Sequence, residues 1–302
     1  MSLVLVTGGA GFIGSHLVEG LLAKGYRVRV LDSLVYGRRE WVAPEAEFLR
    51  GEVTDLAACR EAMAGVAGVF HLAAMSRVIP SFDTIETCTR DNVLGTQNVL
   101  IAGREAGVGK IVYSGSSTFY GNQPAPHREY ETPSEFLNIY GLTKQVGEQY
   151  CLLFDRHFGV PAVVLRYFNV YGPRQPQTGN YALVMGIFLR RWTDGNTLII
   201  HGAGAQRRDF VHVRDVARAN IMAFESERHG EIYNVGSGTN VSVKELADMI
   251  STDQRHEARR GGDSDATLAD VSRIQAHLGW RPEISFAEGL AEMKDRMKAG
   301  LE

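Results

Sequence analysis

The chain is poor in the residues that would commit it to several common designs. Only three of its 302 residues are cysteine, Cys59, Cys88 and Cys151, and they lack the close spacing of a metal site or a disulfide framework. They read as core fillers in a reducing compartment, and no metal site is expected. No apolar run approaches the roughly 20 residues that cross a bilayer. A strand-like segment begins at Leu3, which predicts a cytoplasmic chain with no signal peptide. No block of lysine or arginine stands out and the formal net charge is −3, so no global field draws the chain to nucleic acid or to a membrane. Internal repeats and low-complexity tracts are missing too, which excludes solenoids and propellers. What remains is a chain of 44% hydrophobic residues, enough for a large core in one big domain or two unequal ones.

What the chain does have is a glycine pattern in the right setting. Leu3-Val4-Leu5-Val6 reads as a buried parallel strand, Thr7-Gly8-Gly9-Ala10-Gly11-Phe12-Ile13-Gly14 follows, and Ser15 to Leu22 is apolar at helical spacing. Gly8 permits a tight turn, Gly11 lets a pyrophosphate approach the backbone, and Gly14 lets the helix pack against the strand. N–H groups at the helix start, around Phe12 and Ile13, then face the anion. The second strand, Tyr26 to Leu31, ends at Asp32. A carboxylate there accepts both ribose hydroxyls and repels a 2′-phosphate. The reading is a dinucleotide site, for NAD rather than NADP.

Strand and helix signals keep alternating, the pattern of a doubly wound α/β fold. Glu47 to Asp55 reads as the third strand and its exit, with Glu52 and Val53 placed beside the adenine. A helix from Leu56 to Met63 leads to a fourth strand, Val66 to Leu72, where Leu72-Ala73-Ala74 lets a flat ring lie on the backbone. His71 reads as a packed residue at the edge of the sheet, and Arg38 and Arg39 as solvated surface. Ile85 to Ala106 reads as one long helix, from which Asn92 can hydrogen-bond backbone near the site. The fifth strand, Lys110 to Ser114, runs into Gly115-Ser116-Ser117-Thr118. Such a hydroxyl cluster sits where parallel sheets bind ligands. After a proline-containing loop over 122–133, a helix from Tyr140 to about Phe158 carries Tyr140 and Lys144 on one face. Pro161 to Tyr167 is the sixth strand.

Beyond it the alternation loosens. Helices are expected over Tyr181–Trp192, Val213–Phe224, Val243–Ile250, Ser272–Leu278 and Phe286–Met297, with Ser242 and Glu245 forming a cap. Short strands are expected at Thr197–His201, before Val213 and ending at Tyr233–Gly236, and a loop at Arg259–Asp263. This predicts a Rossmann domain over 1–168, with segments near 210–236 returning to it. A smaller C-terminal α/β domain would comprise 169–209 and 237–302.

With Thr7–Gly14, Ser116, Tyr140 and Lys144 together, the chain resembles the extended short-chain dehydrogenase/reductase family over essentially its full length. Leu165 through Arg174, Arg208 through Val213, and Leu278-Gly279-Trp280 resemble the nucleotide-sugar 4-epimerases within it, above all those acting on UDP-glucose and UDP-N-acetylglucosamine. The resemblance implies that Tyr140 is the base for the O4 proton, with its phenolate favoured by Lys144. Lys144 would also hold the nicotinamide ribose, and Ser116 would hydrogen-bond O4. Leu72, Ala73, Ala74, Asn92 and Tyr167 would complete the NAD site. Ser117, Leu183 and Val184 would line the sugar nucleotide, Asn169, Arg208 and Arg260 would face its pyrophosphate, and Asp263 would meet its ribose. Thr267 would lie against the sugar's 2-substituent, where its small size leaves room for an N-acetyl group.

Two departures from relatives matter. The 4,6-dehydratases carry an acid pair after the strand-end hydroxyl, and UDP-glucuronate decarboxylases a glutamate, where this chain has Ser117 and Thr118. Glu52 replaces the family's usual aspartate. The implied activity is an NAD-dependent UDP-sugar 4-epimerase of galactose metabolism, working through a 4-keto intermediate. The alternatives are a hexuronate 4-epimerase, a decarboxylase or a reductase, or a non-catalytic NAD-binding regulator. A homodimer is implied, paired through the helices at 85–106 and 140–158, with Phe154 and Phe158 as candidate contacts.

Overall fold

Five consecutive buried residues, Leu3–Thr7, form strand β1 of the computed structural model, which describes residues 2–76, 78–178, 182–258 and 264–301. Burial on both faces is what a central parallel strand requires. The β1 side chains alternate: Val4 and Val6 join one hydrophobic cluster, Leu3 and Leu5 the other, on opposite faces of the sheet. The chain continues through α1 (Phe12–Ala23), β2 (Arg27–Asp32), β3 (Glu47–Arg50), α2 (Leu56–Ala62) and β4 (Gly68–His71). Three helical pieces follow, α3 (Val78–Asp83), α4 (Ile85–Thr89) and α5 (Gly95–Ala106), then β5 (Lys110–Ser116), α6 (Ile139–Phe158) and β6 (Ala162–Tyr167).

The second half is made of smaller pieces: β7 (Asn169–Tyr171), α7 (Val184–Thr193), β8 (Leu198–His201), β9 (Arg207–Arg208), β10 (Phe210–His212) and α8 (Val213–Glu225). After them come β11 (Glu231–Val235), β12 (Val241–Ser242), α9 (Val243–Ile250), β13 (Gln254–Glu257), α10 (Ser272–Leu278) and α11 (Phe286–Lys298).

Seven strands form one parallel sheet in the order β3-β2-β1-β4-β5-β6-β11. The order reverses between β1 and β4, so their C-terminal ends open a crevice between diverging connections. The doubly wound α/β fold expected from the sequence is present. β11 brings the chain back to the large sheet beside β6, and α8 packs on α1. Lys110 Nζ donates to the Ala223 and Phe224 carbonyls at the C-terminal end of α8, fastening that helix to β5. Beyond the large sheet, β7 pairs with β10, β8 with β13, and β9 with β12. A third cluster, including Met185, Phe188, Leu198, Phe210, Leu246 and Leu290, forms the core of that part.

Two expectations are revised, and one element was not foreseen. His71 lies on β4, flanked by β1 and β5, and is 2% exposed, so it belongs to the middle of the sheet. The helix from Ile85 to Ala106 is continuous but widens into a π turn over Arg90–Leu94. The short α3 carried no clear periodic signal. The three cysteines are buried, as expected of core fillers. The Ser242–Glu245 capping box is formed, and a second one, Ser285 with Glu288, starts α11. Among the described residues, no helix is long and apolar enough to cross a membrane, and no group of metal-ligating side chains occurs.

Candidate active site

The glycine loop is shaped by what it cannot hold. Gly8 has φ +73°, and a Cβ there would lie 2.7 Å from the Ala73 backbone nitrogen. A Cβ on Gly14 would lie 2.1 Å from the Gly8 carbonyl oxygen. Any side chain at either position would push the loop off β4 or off α1. Gly11 precedes α1 with no side-chain cap, so the N–H groups of Phe12, Ile13 and Gly14 have no helical acceptor. They lie on one wall of a cavity of about 930 Å³ that runs over the C-terminal edge of the sheet.

Asp32 closes the β2 end of that cavity. Its Oδ2 accepts from the Ala10 N–H at 3.0 Å and its Oδ1 from the Leu34 N–H at 2.8 Å. Burial pushes its pKa up, and the two backbone bonds oppose the rise. Each oxygen keeps a lone pair for a ligand hydroxyl. Glu52 and Val53 also line the cavity, with Glu52 exposed and accepting from Thr54 Oγ1 at 3.0 Å. Arg39 is surface, as expected. Arg38 is exposed too, but it lines the cavity and its guanidinium lies 5.0 Å from the Trp41 ring centre.

The floor is set by a buried chain of hydrogen bonds. Thr96 Oγ1 donates to the Asn92 carbonyl at 2.6 Å, so it accepts from His71 Nε2 at 3.0 Å. His71 Nδ1 must then accept from Thr7 Oγ1 at 2.7 Å, and Thr7 Oγ1 accepts the Ala73 N–H at 3.2 Å. Burial lowers the His71 pKa to about 3, which keeps the ring neutral and the chain of bonds in one direction. The backbone of Leu72-Ala73-Ala74, which lines the cavity, is held from beneath.

Asn92 hydrogen-bonds backbone near the site, as expected, and stands behind the cavity wall, not among the residues that line it. Its Oδ1 accepts from the Met75 N–H at 2.8 Å, and its Nδ2 donates to the Met75 carbonyl at 3.0 Å and to Thr143 Oγ1 at 2.9 Å. Its polar atoms are engaged inside the protein, and it is 1% exposed. The π turn sets Asn92 between the β4 exit and α6.

Ser116, Tyr140 and Lys144 all line this same cavity. Ser116 ends β5, where its Oγ donates to Thr118 Oγ1 at 2.9 Å and accepts the Thr118 N–H at 3.2 Å. Asn138 caps α6 by accepting the Gly141 N–H at 2.8 Å, which fixes the first turn that carries Tyr140. Lys144, one turn on, is 4% exposed, with Nζ 4.5 Å from the Tyr113 ring centre. Among the described residues no carboxylate forms an ion pair with it, and burial lowers its pKa to about 8. Tyr167 faces Ser116 in the strand register. Its hydroxyl donates to Asn220 Oδ1 at 2.8 Å and accepts from Ser114 at 2.9 Å, and burial pushes its pKa to about 12. Tyr167 therefore offers the cavity its ring and backbone.

Sequence reasoning missed the device that fixes α6. Glu148, one turn beyond Lys144, makes a two-point ion pair with Arg166 of β6, at 2.7 and 2.8 Å, and both side chains are almost fully buried. Arg166 Nη1 also donates to the Tyr120 hydroxyl and, at 2.9 Å, to the Glu129 carbonyl. This ties together α6, β6 and the turn after Ser116. The Leu165–Arg174 motif contained the arginine, but its buried partner has no local signature.

On the far side, Ser117, Asn169, Leu183, Val184, Arg208 and Thr267 line the cavity. Asn169 Nδ2 donates to the Asp209 carbonyl at 3.1 Å and to Thr267 Oγ1 at 3.0 Å. Arg208 Nη1 donates to the Arg207 carbonyl at 3.0 Å. Arg260 and Asp263 lie outside the described residues. Arg174, Arg190, Arg191, His201 and Gln206 also line this part and were not anticipated. Arg174 is a non-glycine residue at φ +66°, and its guanidinium pairs with Glu19 of α1. The two parts of the chain are thereby joined at the cavity's rim.

The site thus joins a glycine loop at a helix start, a buried carboxylate at the end of β2, and a Ser-Tyr-Lys set at the next strands. Residues 4–236 match the NAD dependent epimerase/dehydratase family. The chain belongs to that family. It is 38% identical, over 98% of both chains, to a putative UDP-glucose 4-epimerase of Methanocaldococcus jannaschii. It is 33% identical, over 96% of this chain and 90% of the other, to a dTDP-glucose 4,6-dehydratase of Streptomyces niveus. Among solved structures, the UDP-glucose 4-epimerase of Thermotoga maritima with UDP-glucose superimposes with a TM-score of 0.95 at 34% identity, covering 99% of this chain and 100% of that one. This member of the epimerase/dehydratase family is NAD-dependent and modifies nucleotide sugars. The cavity fits the dinucleotide: the Gly8–Gly14 loop leaves no room for side chains, the α1 N–H groups are open, and Asp32 stands one strand away.

Proposed function

We propose that this family member is a 4-epimerase of UDP-hexoses, interconverting UDP-glucose and UDP-galactose and accepting N-acetylated hexoses. The observation that carries the reading is the turn after β5. Ser116 is followed by Ser117 and Thr118, with hydroxyls in place of carboxyl groups, and the Thr118 hydroxyl accepts from Ser116. Eliminating water or carbon dioxide needs an acid or a relay beside the sugar, which these residues do not supply. Removing and returning hydrogen at C4 needs only a base for the O4 proton.

When bound, NAD supplies the hydride chemistry at C4. Tyr140 takes the O4 proton and later gives it back. A tyrosine's ordinary pKa is near 10, so it needs a neighbouring cation, and Lys144 provides that charge. Ser116 holds O4 in line with Tyr140. Arg208 anchors the nucleotide while the keto sugar turns, its guanidinium being suited to phosphate oxygens.

On this reading residues 1–168 hold the cofactor, with 210–236 returning to that part, and 169–209 with 237–302 hold the nucleotide sugar. A homodimer in the cytoplasm serving galactose metabolism is the corresponding setting. Mass spectrometry of the product tests the activity. Incubated with UDP-glucose and with UDP-N-acetylglucosamine, the protein is expected to give 4-epimers of unchanged mass. A product lighter by one water, or no conversion with NAD present, would overturn the assignment.

A further inference from the structure

Lys144 keeps an ammonium group inside the protein with no carboxylate paired to it among the described residues. Burial disfavours the charged form, and what surrounds the group decides how far. Its titratable neighbours come from four elements: Cys88 on α4, Cys151 and Tyr140 on α6, His71 on β4 and Tyr113 on β5. Burial raises the pKa of both thiols and of the Tyr113 phenol, so none of the three supplies an anion at neutral pH. His71 is neutral in its chain of bonds, and Glu148, one turn further along α6, is taken up by Arg166. Tyr140 carries a charge only once it has given up its own proton, which is the event that Lys144 is there to favour. The remaining source of negative potential is the face of an aromatic ring.

Tyr113 presents that face. Lys144 Nζ lies 4.5 Å from the centre of its ring, within the roughly 6 Å over which a cation is attracted to an aromatic face. The ring is fully buried, so water does not weaken the attraction. Three contacts fix its placement. Its hydroxyl donates to the Lys144 carbonyl at 3.2 Å, tying the ring to the backbone of the residue whose ammonium it faces. Gly147 makes room for that hydroxyl, since a Cβ at this position would collide with it. The His71 ring packs against the Tyr113 ring, with centres 5.7 Å apart. We propose that the ring face of Tyr113 stands in for the missing counter-ion of Lys144, and that Tyr113 is a positioning residue which keeps that ammonium charged beside Tyr140. The consequence for turnover rests on the nucleotide-sugar reading above: a Lys144 that has lost its proton no longer favours the Tyr140 phenolate.

The chain has six lysines, so nuclear magnetic resonance on protein carrying carbon-13 lysine reads the ionisation of Lys144 directly, its signal being the one missing from Lys144→Met. The cofactor-free protein is titrated with three rings in turn at position 113: the native tyrosine, Tyr113→Phe, and 3,4,5-trifluorophenylalanine in place of Tyr113. Fluorine withdraws electron density from the ring face with little change of size. The Lys144 midpoint is expected near pH 8 in the parent. It is expected within about 0.3 pH unit of that value in Tyr113→Phe, and about one pH unit lower with the fluorinated ring. The Lys110 signal, from an ammonium held by the end of α8, certifies that each protein is folded. Equal midpoints for the plain and the fluorinated ring would overturn the proposal, because a ring that only fills space does not distinguish them. So would a higher midpoint with the fluorinated ring. In the NAD-loaded protein, the rate of UDP-glucose conversion is expected to fall off at a pH about one unit lower with the fluorinated ring than with phenylalanine. A parent protein that converts no UDP-glucose would instead remove the reading above, while the midpoints still decide the role of Tyr113.

Discussion

At the scale of single residues, Lys144 carries the sharpest electrostatic consequence. It is buried with no carboxylate in ion-pairing range among the described residues, so its charge is costly and its folded pKa falls from 10.5 to about 8. The unfolded chain then binds the proton more tightly than the folded one between about pH 8 and 10.5. Stability contributed at this site rises with pH across that window, by about 3 kcal/mol at most. Urea unfolding of the cofactor-free protein and of Lys144→Met, at pH 7.5 and pH 10, isolates it. The wild type is expected to gain on the variant at the higher pH, and parallel behaviour of the two would contradict the buried, unpaired cation. Lys144, Tyr140 and Ser116 were legible from the sequence because they sit in local patterns. The His71 chain was not, since Thr7, His71, Thr96 and Asn92 meet only once two strands and a helix have assembled.

At the scale of elements, α6 is the member whose placement matters most, and the Glu148–Arg166 pair locks it to β6. Removing one partner of a buried pair leaves the other charge uncompensated, at a cost of about 3–5 kcal/mol. Glu148→Ala is therefore expected to lower the denaturation midpoint sharply, while Glu105→Ala, which breaks the exposed Arg60–Glu105 pair, should leave it nearly unchanged. Comparable effects of the two changes would mean that the buried pair does not fix the helix. The strands of the large sheet were readable because central parallel strands are continuous apolar runs. The π turn and α3 were not, because their geometry follows from the Asn92 bonds and from packing, neither of which leaves a periodic trace. Beyond Tyr167 several strands shorten to two or three residues, as in β7, β9, β10 and β12, too brief for any period to show.

At the scale of the whole molecule, one cavity is lined by the glycine loop and the Ser-Tyr-Lys set of the large sheet and, opposite them, by residues of the small sheets and α7. Large apolar side chains remain exposed along one side of the large-sheet part: Phe82, Ile85 and Leu94 before α5, and Leu142, Leu153 and Phe158 on α6. Of the two phenylalanines singled out in the sequence, Phe154 packs into the core and Phe158 is on this surface. Pairing of two copies across this face would remove it from water. Sedimentation is expected to give a dimer, and Leu153→Glu a monomer; a wild-type monomer at micromolar concentration would contradict the pairing.

The central claim is that hydrogen leaves C4 of the sugar and comes back to the same carbon, with Tyr140 handling the O4 proton. UDP-glucose carrying deuterium at C4 tests it in one experiment, followed by nuclear magnetic resonance. The account predicts a 4-epimer that keeps its deuterium at C4, formed with no added reductant, and a rate about a hundred-fold or more lower for Tyr140→Phe. Deuterium found at C6, lost to water, or untouched in unconverted substrate would contradict it.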